Sequence, residues 1–303
     1  MTLIRIMEAM VLTGGSRSSR NAFRSVGAWL FLGASVLVSR PARADDSPFA
    51  WLYTAEVTSK GEVEVEQWLT LASDRFQERY DALAGRSELE YGAFERLSLS
   101  LYANYDWTRV VPHGALAPDA ATDGIRFSSV SGEVIYQIFN PSKDPLGLAL
   151  YAEPSIGAGE RKIELKLLLQ KNLLGDRLVL AGNANLEYVW RRDRTAATWD
   201  HETALEFLLG IAYRFSPGWS ASLELVNENS YSGHLFSGAH AQTGAFYCGP
   251  TLHYQAEGWW TTIGFSEQMP WSLNPGGAPS AVWHGYVTHT ERFRLRLRVG
   301  FDL

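Results

Sequence analysis

The chain has 303 residues, 46% hydrophobic and 13% aromatic, with a formal net charge of −6 and one cysteine. A single cysteine excludes an intrachain disulfide framework and a thiolate zinc cluster, and the acidic balance argues against a nucleic-acid binder. Mean hydropathy is −0.13, and no apolar run reaches the ~18 residues of a membrane-spanning helix, which excludes a polytopic helical membrane protein.

The first element is a targeting signal. Arg17, Arg20 and Arg24 precede an apolar stretch from Val26 to Val38, followed by Pro41-Ala42-Arg43-Ala44 and then Asp45-Asp46. A basic lead, a short apolar core and small residues at the cut read as a secretory signal peptide over 1–44, cleaved near Ala44. Its six arginines and one glutamate leave 21 basic and 32 acidic residues in the remainder, net −11. Residues 45–60 are placed as a periplasmic N-terminal segment, and 61–303 as the folded body.

From residue 61 onward the sequence alternates. About twelve segments carry the pattern, at roughly 61–71, 84–93, 96–107, 126–139, 146–156, 161–171, 177–190, 201–215, 218–228, 243–255, 258–267 and 291–303. Most have about the 9–11 residues that a tilted strand needs to cross a bilayer. On the third, Leu97, Leu99, Leu101, Ala103 and Tyr105 alternate with Ser98, Ser100, Tyr102, Asn104 and Asp106. On the last, Phe293, Leu295, Leu297, Val299 and Phe301 alternate with Arg294, Arg296, Arg298 and Asp302. Strict period-two alternation marks a strand between an apolar and a polar environment. Short turns follow even strands, and most links after odd strands are longer: 72–83, 108–125, 191–200, 229–242 and 268–290. This describes an all-β fold: a transmembrane antiparallel up-and-down β-barrel of about 12 strands with both termini periplasmic. Ten or fourteen strands stay open, as do an amphipathic helix over 160–174 and a soluble periplasmic β fold. Pro154 and Pro250 each require a bulge or a strand end, because proline removes a ladder donor.

Charge fixes which face is which. An arginine facing lipid near the midplane costs about 2–4 kcal/mol, so Arg294, Arg296 and Arg298 face the lumen. The first strand carries Glu62, Glu64 and Glu66 at the same spacing. In a closed barrel the first and last strands are antiparallel neighbours, so the two ladders are expected to meet as ion pairs at the seam. The same parity gives further lumen-lining residues. These are Glu88 and Glu90 on the second strand, Asp106 on the third, Glu133 on the fourth and Glu153 on the fifth. Lys162, Glu164 and Lys166 follow on the sixth, Arg177 and Glu187 on the seventh, Glu202, Glu206 and Arg214 on the eighth, and Glu224 and Glu228 on the ninth.

A family resemblance rests on particular residues: Tyr53-Thr54, Lys60-Gly61-Glu62, Glu66-Gln67-Trp68, Glu88-Leu89-Glu90-Tyr91-Gly92 and Leu169-Gln170-Lys171-Asn172. They resemble an uncharacterised family of proteobacterial outer-membrane β-barrels, and more distantly the barrels labelled as putative MetA-pathway phenol-degradation proteins. The resemblance implies an outer-membrane location and passage through the outer-membrane assembly machinery.

No catalytic, cofactor or metal site is assigned. Ser232, His234, Ser237 and His240 share one loop without a hydrolase motif around them. His234, His240, His284 and His289 lack the spacing of a metal site. His253 faces the lumen, and Cys248 lies on the apolar face. An acidic lumen of this size favours passive, porin-like passage of small polar or cationic solutes. A non-conducting, loop-displaying barrel and a barrel hydrolase are the alternatives.

Overall fold

The computed structural model describes residues 47–76, 78–112, 120–121, 124–192, 198–233, 235, 240–273 and 281–303. The signal segment, His234 and Ser237 lie outside the described residues, as does the side chain of His240. Twelve long strands form the wall: β1 (Val63–Arg75), β2 (Glu78–Phe94), β3 (Leu97–Pro112), β4 (Arg126–Phe139), β5 (Gly147–Gly157) and β6 (Glu160–Leu173). The rest are β7 (Leu178–Arg192), β8 (Trp199–Ser216), β9 (Trp219–Ser232), β10 (His240–Ala256), β11 (Trp259–Leu273) and β12 (Phe293–Asp302). Each pairs antiparallel with its neighbours in sequence, and β1 pairs with β12, which closes the barrel. A two-residue strand, Ala120–Ala121, pairs antiparallel with β3 at Arg109 and Val110, and a small hairpin joins Val282–Trp283 to Tyr286–Val287.

The wall is apolar outside and polar inside. Leu101, Ile156 and Leu209 are 63%, 68% and 62% exposed, values that would be costly in water but are ordinary against acyl chains. Their sequence neighbours Ser100, Ser155 and Leu208 are buried inward. The β1 and β12 ends of the wall lie on the same side as the short turns at 95–96, 174–177, 217–218 and 257–258.

Three sequence expectations change in detail. Residues 72–83, expected as a long loop, are almost wholly strand, because β1 and β2 run on to a tight turn between Arg75 and Glu78. On this side the hairpin continues past the apolar belt: Ser73, Arg75, Arg79 and Asp81 occupy the parity that is apolar in the rest of β1 and β2, so alternation gives no signal. Residues 160–174, which also fitted an amphipathic helix, form β6 and its turn. The prolines sit in gaps of the ladder. Pro154 lacks a pairing toward β4, and Pro250 lacks one toward β11.

Candidate functional site

The lumen is not empty. Residues 47–58 run inside the barrel with no regular secondary structure. Ser47 and Thr58 both lie toward the short-turn end: the Ser47 carbonyl accepts from the Thr262 hydroxyl at 3.4 Å, and the Thr58 hydroxyl donates to Glu90 at 2.5 Å. Between them the chain rises to Trp51, whose ring lies 4.1 Å from the Arg296 guanidinium. Residues 47–58, part of the segment placed by sequence before the first strand, thus form a loop folded into the lumen.

Wall side chains satisfy its backbone, as buried polar groups require. The amides of Ala50, Trp51 and Leu52 donate to the Glu224 carboxylate at 2.8, 2.8 and 3.1 Å, and the Thr251 hydroxyl adds a bond of 2.6 Å. Three consecutive N–H groups turned onto one carboxylate form an anion-binding nest. Asn183 reads both backbone groups of Tyr53, accepting from its N–H at 2.8 Å and donating to its carbonyl at 2.9 Å. Gln170 and Gln137 do the same for Ala55 at 2.8 and 2.7 Å. Arg298 donates to the Phe49 carbonyl, and Arg296 to that of Ala50.

Apolar packing completes the fit. Phe49 and Leu52 are buried against Leu208, Ala212, Val226 and Tyr247, and Ala55 against Ile135, Ala149, Tyr151 and Leu168. Wall and loop approach closely at Gly264, where a Cβ would stand 2.3 Å from the Cβ of Ala50.

On the other side of the loop lies a cavity of about 420 Å³. Trp51 and Tyr53 line it from the loop, and Trp68, Arg86, Lys166, Glu206, Arg294 and Arg296 from the wall. Most of its charges are paired. Lys166 meets Glu164 at 3.2 Å, and Arg294 meets Glu228 and, at 2.6 Å, Glu291. Burial pushes the Glu291 carboxyl up, but the adjoining Arg294 guanidinium outweighs it and holds the group below the usual carboxylate range. Among the described residues Arg296 meets no carboxylate; it donates to the Thr70 hydroxyl at 2.9 Å and lies over the Trp51 ring.

The other predicted lining residues divide by depth. Glu64, Glu66, Glu88, Glu90, Glu133 and Glu153 are buried, and Arg86 reaches Glu153 at 2.7 Å. Lys162 pairs with Glu187 at 2.9 Å. Glu62 precedes β1 and is half-buried at the rim, Glu202 bonds Arg191 toward the long-loop rim, and Arg214 is exposed at the short-turn end of β8. His253 is buried and bonds Thr262 at 2.8 Å.

The expected seam ladder is corrected. β1 and β12 do pair, but Glu64 stands opposite Asp302 and Glu66 opposite Gly300, so the arginines face Trp68, Thr70 and Ala72. Stagger sets the two ladders end to end. One diagonal contact survives, Arg298 to Glu66 at 3.2 Å. Glu64 instead accepts from the Trp260 indole.

The sequence of residues 41–303 matches the model of a family of unknown function (DUF6662), a span that takes in the lumen loop. The chain belongs to this family. No curated protein matches it. Its fold is similar to the COG4313 outer membrane channel from Pseudomonas putida F1, with a TM-score of 0.57 and 12% identity over 82% of this chain and 98% of that one. It is also similar to the NanC porin, with a TM-score of 0.49 and 12% identity over 80% of this chain and 100% of the porin. At such identity the likeness shows the fold alone, a twelve-stranded barrel of the outer-membrane type.

Proposed function

We propose that the protein is an outer-membrane channel for small polar or cationic solutes, narrowed by its own N-terminal loop. The mature chain begins near Asp45, reaches the bilayer through the outer-membrane assembly machinery, and keeps both ends periplasmic. The observation that carries this reading is the charged cavity inside a closed barrel with an apolar belt. Its lining holds five acids (Asp106, Glu164, Glu206, Glu228, Glu291) against four bases (Arg86, Lys166, Arg294, Arg296), which tips permeation toward cations.

The loop filling the short-turn half of the lumen favours a second reading, a non-conducting barrel that displays its outer loops. Planar-bilayer recording separates the two. The expected result is small, discrete conductance steps whose reversal potential in a potassium chloride gradient has the sign of cation preference. A silent bilayer containing heat-modifiable, folded protein would favour the second reading, and anion preference would contradict the charge argument.

A further inference from the structure

Away from the cavity, carboxylates concentrate near the short-turn end of the first two strands. Glu64 and Glu66 of β1 stand directly across from Glu90 and Glu88 of β2 in the ladder. All four are more than nine-tenths buried. One oxygen from each of Glu64, Glu66 and Glu90 lies within 4.8 Å of the other two. Arg298 reaches this block, at Glu66. Neutral donors reach it as well: Trp68 to Glu66 at 2.5 Å, Trp260 to Glu64, and Thr58 to Glu90.

Four carboxylates buried this close to one another repel, and a low-dielectric interior penalises such crowding of like charge heavily. Among the described residues, Oε2 of Glu88 and Oγ of Ser100, itself 3% exposed, lack a hydrogen-bond partner. Ser100 sits on β3 between Glu90 and Glu133 in the ladder. A buried hydroxyl left without a partner among carboxylates is accounted for if its oxygen, and theirs, turn toward a cation.

We propose that this block binds one divalent cation of the calcium type, with Glu64, Glu66 and Glu90 as carboxylate ligands and Glu88 and Ser100 beside them. The donor set is all oxygen, without histidine or cysteine, which selects a hard cation. Calcium takes six to eight oxygens in flexible geometry, whereas magnesium demands a near-ideal octahedron and keeps several waters. Because the Thr58 hydroxyl bonds Glu90, the cation also fixes the root of the lumen loop. The site stands whether or not the barrel conducts.

The Trp68 and Trp260 indoles touch the ligand carboxylates, so terbium bound in place of calcium is positioned for sensitisation by tryptophan excitation. The experiment titrates terbium chloride into the refolded chain in an uncharged detergent and then displaces it with calcium chloride. The expected result is saturable sensitised emission, removed by calcium, with affinity weakened at least about tenfold in Glu90→Gln and in the milder Ser100→Ala. Heat-modifiability on gels reports that each variant is folded. Absence of emission from the folded wild type, or equal affinity in every variant that folds, would overturn the proposal and leave these carboxylates sharing protons instead.

Discussion

Deleting residues 47–57 is expected to raise single-channel conductance at least about threefold while leaving a folded, heat-modifiable barrel. A twelve-stranded wall encloses more space than side chains alone fill, since eight strands suffice for a filled interior, and here the loop takes up the surplus. The wall brings its own twelve ladders, so it does not depend on the loop for backbone pairing. Glu224→Gln tests the same idea without shortening the chain. It removes the charge from the carboxylate that gathers the amides of Ala50, Trp51 and Leu52. Bonds to a charged acceptor contribute about 1.5–3 kcal/mol, so the loop should leave the lumen more often and the current should flicker between two levels. Unchanged conductance in both variants would mean that the loop does not control the path.

Arg298→Ala is expected to destabilise the barrel by about 3–5 kcal/mol, the cost of leaving one member of a buried ion pair behind. Arg298 and Glu66 are 6% and 3% exposed, and the guanidinium also bonds the Phe49 carbonyl and lies 4.0 Å from the Trp68 ring centre. Urea titration of folding into lipid vesicles measures the loss. Adding Glu66→Gln should recover part of it, because the uncompensated carboxylate is gone. Arg296→Glu, by contrast, should gain nothing from Glu64→Arg, since the register sets Arg296 opposite Thr70 and Glu64 opposite Asp302. Rescue in that second pair, or additivity in the first, would contradict the observed stagger.

Strand existence and facing were legible because each wall strand separates lipid from a polar lumen, which forces alternation over its central residues. Leu97 to Asp106 and Phe293 to Asp302 show it throughout. Strand ends were not legible where polar residues break the apolar parity, as Ser73 and Asp81 do at the β1–β2 hairpin and Glu267 does on β11. Stagger was hidden too: period two fixes the face but leaves open which glutamate meets which arginine. The lumen loop did leave a trace. Ile135, Leu168, Leu208 and Val226 fall on the polar parity of their strands, and all four lie buried against the loop or in its apolar clusters. Apolar residues on an inward face require an apolar partner inside. Phe49, Leu52 and Ala55 could have been matched to them, but nothing local in 45–60 indicates which surface it covers.

The most direct measurement places a single thiol on the loop. In a Cys248→Ser background, Leu52→Cys puts a smaller side chain where Leu52 is 1% exposed. With the loop seated in the lumen, the folded protein in vesicles should react with maleimide at least about a hundredfold more slowly than the urea-unfolded chain. Adding Glu224→Gln should restore much of the rate. Labelling of the folded barrel as fast as the unfolded chain would show residues 47–58 outside the lumen and contradict the occupied interior on which the gating argument rests.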